Sequence, residues 1–329
     1  MSDNEDIDEL ERDLALLNSN EKIKKEITIN YTKPIIKWVG GKTQILEKVL
    51  SHFPRNIKNY HELFLGGGSV LLGFIENVKA GKINLTGKIY AYDYNETLIN
   101  LYKNIQSKPD KIIKEIRKLI NDFNNIETTI VNRNAENIEE AKTSKESYYY
   151  WIRKQFNSLE KKKKNSPLGT AYFIFLNKTG YRGVYREGPN GYNVPYGNYN
   201  KPEIINEEHL KNISDLIQEV TFIHSSFEES FKEIKDKKND FVYLDPPYAP
   251  KDSNSFVGYT KDGFTLENHN LLFEQCKEFK FLLSNAEVEL VTNSFKEKKY
   301  KTEIVECRRA INQKNPESKT NEVLIKNFD

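Results

Sequence analysis

Four apolar residues, Phe241 to Leu244, run directly into Asp245-Pro246-Pro247-Tyr248, and that junction limits the fold more than any other stretch. β-Branched and aromatic residues suit a buried strand, and a diproline that cannot donate to a ladder ends it. Such a strand projects its last side chains into the crevice at the carboxyl edge of an α/β sheet. A carboxylate, a rigid turn and an aromatic ring gathered there suit an exocyclic amine on a flat ring. Asp245 and the Pro246 carbonyl would accept both amine protons, with Pro247 completing the rigid turn and Tyr248 stacking on the ring. The same four letters also describe an ordinary Asp-Pro turn leaving a buried strand, so the rest of the chain has to decide.

With 329 residues and 37% hydrophobic content, the chain can build one large domain, or one domain carrying a substantial insertion. No run approaches the length of a membrane span, and Met1-Ser2-Asp3-Asn4-Glu5-Asp6 is not an export signal, so an intracellular, cytoplasmic protein is expected. Cys276 and Cys307 lack metal-ligand spacing, and buried free thiols are expected, with no metal site. The net charge of +2 hides an asymmetry: residues 1–20 carry seven acidic residues against Arg12 alone, which leaves the body basic. A basic body with an acidic, disordered tail over residues 1–32 fits a polyanionic partner.

From Lys33 onward strands alternate with helical stretches, the pattern of an α/β sheet with crossover helices. Strands are expected at His61 to Leu65, Lys88 to Tyr92, Val220 to His224, Phe241 to Leu244 and Phe281 to Asn285. A late antiparallel hairpin is expected from Thr302 to Cys307 and Glu322 to Ile325. Between residues 109 and 216 the texture changes to polar helices, Lys111 to Phe123 and Ser147 to Leu159, followed by an aromatic, Gly/Asn-rich segment. That stretch is expected to be an insertion between two parts of one domain, 33–108 and 217–329. Within it, Tyr181 to Arg186 and Tyr192 to Gly197, joined by Glu187-Gly188-Pro189-Asn190-Gly191, suggest a hairpin exposing Arg182 and Arg186. Arginines beside aromatics on a ribbon suit groove reading and base stacking, although the tyrosines could instead pack on their own domain.

Glu62 to Ser69 follows a strand and opens a helix over Val70 to Val78, so Gly66, Gly67 and Gly68 allow a ligand close to the backbone. This is not the dinucleotide fingerprint, because counted from Gly66 its third glycine falls on Leu71, and counted from Gly68 its second falls on Val70. Asp93, ending the next strand, lies where such folds hold a ribose. A glycine turn with a ribose acid describes any adenosine-containing ligand. Lys37-Trp38-Val39-Gly40-Gly41-Lys42-Thr43 is not a phosphate loop either, since Ile36 stands where the first glycine belongs. Trp38 and Lys42 are candidates for packing on, and pairing with, a carboxylate-bearing ligand.

Taken in order, Lys37 to Lys42, Phe64 to Val70, Asp93-Tyr94-Asn95 and Asp245 to Tyr248 resemble the DNA adenine N6-methyltransferases of the Dam type, the D12 class of the α group. Leu176 to Tyr181, Tyr192 to Gly197, Ser255 to Tyr259 and Leu283-Ser284-Asn285 extend the likeness from about Pro34 to the C-terminus. The resemblance implies a Rossmann-like S-adenosylmethionine-dependent methyltransferase sheet with an inserted helical and hairpin recognition domain. It implies that Trp38, Lys42, Phe64, Gly66, Gly68, Asp93, Ser226, Phe227 and Asp245 bind S-adenosylmethionine, with Ser226 and Phe227 beside its adenine. It further implies that Tyr181, Arg182, Arg186, Asn193 and Tyr196 meet duplex DNA, at a GATC-like site. Departures fall mostly on specificity: Leu63 replaces a proline, Lys178 an arginine, and Arg182 and Glu187-Gly188 differ from the family's hairpin.

Adenine N6 is a poor nucleophile because its lone pair is delocalised, so Asp245 and the Pro246 carbonyl are expected to turn that pair toward the methyl carbon. The base must first leave the duplex. Lys251 to Gly263 is expected to close over it. Cytosine C5 chemistry is disfavoured because neither cysteine follows a proline. Methylation of RNA adenine or a protein amide, and a catalytically silent DNA-binding regulator, are the alternative functions. A cognate restriction endonuclease is a candidate partner, and monomer and dimer are both open.

Overall fold

In the computed structural model the described residues are 29–250, 263–308 and 319–329. Residues 1–28 of the expected acidic tail, and most of the segment expected to close over the base, lie outside them. The seven strands of the main sheet are β1 (Tyr60–Glu62), β2 (Ile89–Asp93), β3 (Val220–His224), β4 (Phe241–Leu244), β5 (Lys280–Ala286), β6 (Lys301–Arg308) and β7 (Lys319–Lys326). Their spatial order is β6-β7-β5-β4-β1-β2-β3. The five strands from β5 to β3 run parallel, and β7 and β6 add an antiparallel edge.

All four residues of β4 are buried, as expected of a central strand covered on both faces. Alternation divides them: Phe241 and Tyr243 join the larger core, while Val242 and Leu244 join Phe273, Phe281 and Phe295 on the opposite face. The chain leaves β1 toward β2 on one side and returns with β4 on the other, so the strand order reverses between β1 and β4. Ligands of open α/β sheets bind outside the carboxyl ends of the strands at such a reversal.

β1 is shorter than its apolar pattern implies. Leu63 and Leu65 still donate backbone hydrogen bonds to Tyr243 and Tyr92, but Gly66 then turns the chain at φ 51°. The helix Ser69–Lys79 follows, starting from Gly68.

Residues 109–216 belong to the same compact unit, Tyr31–Asp329, as the sheet. Helices Pro109–Asn124, Lys145–Ser158 and Pro167–Thr179 carry this stretch, two of them opening with proline at the first turn, where its missing N–H costs nothing. Phe173, Ile174, Phe175 and Leu176 are fully buried, and Phe175 meets Phe123 and Tyr148 edge-on at 5.4 and 5.8 Å. The expected ribbon is mostly irregular: only Glu187–Gly188 and Gly191–Tyr192 pair as strands. Tyr181–Gly183 forms a 3₁₀ turn with Arg182 at φ 56°, which breaks the extended run. An isolated bridge between Gly180 and Tyr196 closes its base.

Candidate active site at the carboxyl edge of the sheet

The carboxyl ends of β1, β2 and β4 open onto one cleft of about 930 Å³. Glu62, Asp93 and Asp245 line it from below, and Trp38, Lys42 and Phe64 from the sides.

The glycine turn is built by close approach. Gly68 has φ 77°, and a Cβ there would lie 2.4 Å from the Tyr102 hydroxyl. That hydroxyl donates to the Gly67 carbonyl at 2.5 Å, bracing the turn from behind. A Cβ on Gly67 would meet Trp38 Cβ at 2.9 Å, so the indole packs directly on the turn. The Gly66 N–H donates to Asp93 Oδ2 at 2.9 Å, and Asn95 N–H to Oδ1 at 2.8 Å. Burial raises the Asp93 carboxyl above its ordinary value, with these two N–H groups pulling the other way. Each carboxylate oxygen retains a lone pair for a hydroxyl in the cleft.

Asp245 follows β4 with 18% of its side chain exposed, inside the cleft. Lys42, only 2% exposed, directs Nζ to Asp245 Oδ2 at 2.6 Å and to the Gly40 carbonyl at 2.7 Å, and lies 5.0 Å from the centre of the Tyr248 ring. Burial pushes the Asp245 carboxyl up to about 6, against the pull of the Lys42 ammonium. Among the described residues nothing donates to Asp245 Oδ1. Pro246, Pro247 and Tyr248 line the cleft beside it. The turn is pinned by Asn285 on β5, whose Oδ1 accepts the Ala249 N–H at 3.0 Å.

Glu62 and Asn285 carry roles that pattern reading passed over. Glu62 is buried at the end of β1, where Tyr60 donates to it at 2.7 Å. Burial raises its carboxyl well above the ordinary range, and Asp245 and Asp93 add to the rise. An acid inside an apolar run, four residues before the first glycine of the turn, is its only sequence signal.

Phe227 lies 6.1 Å from Phe64 in an aromatic wall that includes Phe264. Ser226 caps the helix Phe227–Glu233, accepting from Glu229 N–H, and neither it nor Phe227 lines the cleft. Gly68 likewise lies beneath the cleft rather than in its wall.

Residues 109–216 reach the cleft through Asn177, which is fully buried. Its Oδ1 accepts from Lys37 N–H at 2.8 Å, and its Nδ2 donates to the carbonyls of Lys37 at 2.8 Å and Gly183 at 2.9 Å. Trp38 and Arg182 are thereby drawn together: Arg182 lines the cleft, and Tyr185 stands 5.4 Å from Trp38. Arg182 was expected as an exposed ribbon residue, but the 3₁₀ turn tips it inward and leaves it half-buried.

Arg186 is exposed, with Nε on Asn193 Oδ1 at 2.7 Å and Nη2 on the Asn193 carbonyl at 3.0 Å. Tyr181 is exposed at the base of the ribbon, whereas Tyr196 is half-buried against Tyr149 and Phe123. Helix Lys145–Ser158 supports the returning strand: Asn157 exchanges two hydrogen bonds with Tyr192, and Tyr149 donates to the Val194 carbonyl. Both cysteines are buried and free, Cys307 at the margin of the cleft. No described helix is long and apolar enough to cross a membrane.

Residues 38–311 match the family model described as D12 class N6 adenine-specific DNA methyltransferase. Among curated relatives, the Type II methyltransferase M.MjaIII of Methanocaldococcus jannaschii is 36% identical over 70% of this chain and 75% of its own length. The Type II methyltransferase M1.LlaDCHI of Lactococcus lactis subsp. cremoris is 26% identical over 90% and 95%. A DNA adenine methylase of Escherichia coli is 29% identical over 85% and 89%.

Proposed function

The chain belongs to the D12 class N6 adenine-specific DNA methyltransferases, and from that premise we propose that Asp245 grips the amine of a flipped-out adenine in the cleft. The observation that carries this is the asymmetry of the Asp245 carboxylate: Oδ2 is held by Lys42, and Oδ1 faces no donor among the described residues. One N6–H donates to Oδ1 and the other to the Pro246 carbonyl, which draws the nitrogen lone pair out of conjugation. Positive charge building on N6 is stabilised by a carboxylate already fixed in position. Tyr248 stacks on the base, and the few kcal/mol needed to flip it are offset by that stacking and by backbone contacts.

A family of methyltransferases implies a methyl donor, and we propose S-adenosylmethionine, which supplies a methyl group on an electrophilic sulfonium. The residues present fit it. A three-glycine turn, in which a Cβ at Gly67 or Gly68 would clash with Trp38 or Tyr102, lets a ligand reach the backbone, Asp93 can accept ribose hydroxyls, and Trp38 and Phe64 offer apolar walls. Phe227, beside Phe64, supports an adenine-binding side of the cleft.

We propose further that residues 109–216 recognise the target, with Arg186 and Asn193 reading bases, Arg182 and Tyr181 at the target step, and Tyr196 shaping the ribbon. The exposed Arg186 fork supports this, since a guanidinium can address guanine O6 and N7 together. A GATC-like site is the expectation carried by the likeness of that ribbon. The names of two relatives as Type II methyltransferases support a cognate restriction endonuclease, and a DNA substrate supports an intracellular site of action.

The experiment is incubation with labelled S-adenosylmethionine and unmodified genomic DNA, followed by mapping of modified adenines. Label at N6 of adenine in one short sequence is the expected result. Label that enters only RNA or protein would overturn the proposal.

A further inference from the structure

Behind the catalytic turn lies a second polar layer that the transfer chemistry above does not use. The hydroxyls of Tyr243, Tyr248 and Ser284, together with Glu322 Oε2, are buried and have no partner in good hydrogen-bond geometry among the described residues. Buried polar groups in native proteins nearly always find partners, so several orphans in one place call for a function.

The strand register brings them to one face. Tyr243 on β4 stands opposite Leu282 on β5, Ser284 opposite Leu324 on β7, and Ala286 opposite Glu322. Residues two apart share a face, so Tyr243, Ser284 and Glu322 all point to the same side of the sheet. Glu322 lines the cleft together with Tyr248. Burial, then the Asp245 and Glu322 carboxylates, hold the Tyr248 hydroxyl well above its ordinary value, while Ser284 pulls the other way. A hydroxyl donor and a carboxylate acceptor are therefore neighbours at the far end of the ring.

We propose that Glu322 is a positioning residue for methyl transfer: it accepts the Tyr248 hydroxyl, with Ser284 alongside, when a base stacks on the Tyr248 ring. Hydrogen bonds of this kind are often loose in the free enzyme and tighten only when substrate is bound. Two torsions orient the ring; a hydrogen bond at its far end holds its tilt and, because a phenolic O–H prefers the ring plane, biases the plane that the base must match. Glu322 reaches the base only through Tyr248. This rests on the assignment of Tyr248 as the stacking residue.

The test is a double-mutant cycle with Tyr248→Phe and Glu322→Ala, using a duplex that carries 2-aminopurine at the methylated position. Flipping is read as 2-aminopurine fluorescence without any methyl donor, and kcat and the KM for DNA are measured separately. Each single variant is expected to lower kcat and the fluorescence gain roughly tenfold, the size of one hydrogen bond, and the double variant no further. Glu322→Gln, which keeps an acceptor, is expected to recover part of the loss, and thermal melting verifies that each variant is folded. Effects that multiply in the double variant, or an undiminished fluorescence gain in Glu322→Ala, would overturn the inference. If the wild-type protein methylates its site but gives no fluorescence gain while Tyr248→Phe and Tyr248→Ala both keep full kcat, the stacking assignment falls, and the inference with it.

Discussion

Lys42 Nζ lies 2.6 Å from Asp245 Oδ2, joining residues 203 positions apart in an ion pair that is nearly closed to solvent. An ammonium and a carboxylate taken out of water hold each other in place, and what they gain is orientation more than stability. Lys42 occupies one oxygen and steadies the carboxylate, leaving the other oxygen in a defined direction.

The first consequence concerns pH. Burial raises the Asp245 carboxyl to about 6 although Lys42 opposes the rise. In the proposed mechanism the ionised form accepts N6–H, so kcat/KM at saturating methyl donor should fall as pH drops through about 6. In Lys42→Met nothing opposes desolvation, and the acid limb should move to higher pH. A limb left unmoved would separate Lys42 from catalysis.

Breaking the pair from one side should cost more than removing it. Asp245→Ala leaves an ammonium buried with the Gly40 carbonyl as its remaining partner, at a cost of about 3 kcal/mol in denaturant unfolding. The double variant Asp245→Ala with Lys42→Met should regain most of that loss. Asp245→Ala should also abolish transfer while cofactor titration still detects binding; near-normal turnover would exclude the assignment of Asp245.

Gly68→Ala should disable the loop without touching the cleft wall. A methyl group there meets the Tyr102 hydroxyl at 2.4 Å on a backbone with φ 77°, and both the clash and the strain must be relieved by moving the turn. Calorimetric titration should show cofactor affinity lowered at least tenfold, with stability lower by about 1–3 kcal/mol. Unchanged affinity would mean that the turn does not form the cofactor site.

Arg186→Ala should act on DNA alone. Its guanidinium is exposed and held by Asn193 on the ribbon, away from the cleft. Loss of a base contact should weaken specific duplex binding by about 1–3 kcal/mol and relax discrimination at one position, with cofactor affinity intact. Equal weakening for every sequence, with a shallower salt dependence, would reassign Arg186 to phosphate contact.

Much of the scaffold was legible in the linear chain because its signals are local. The period-2 run of Val220 to His224 and the apolar run of Phe241 to Leu244 coincide with β3 and β4, and the late hairpin differs from its expected span only by added residues at the ends. β1 was overestimated because Leu63 and Leu65 are as apolar as strand residues but belong to a turn whose course is set by Gly66. The ribbon was overestimated for a related reason: nothing in the letters of Arg182 announces a left-handed backbone, which Asn177 and the close approach of Gly183 to Lys37 impose from outside.

Local alternation, the diproline and the glycine turn thus determined the strands, their order of use and the chemical character of each strand end. Which groups touch was decided elsewhere. The Lys42 to Asp245 pair, the Asn177 clasp and the Asn285 anchor each join segments whose separation in sequence carries no periodic signal. They arise because the reversal of strand order between β1 and β4 gathers those segments at one edge, where every buried charge or amide must find its partner in three dimensions.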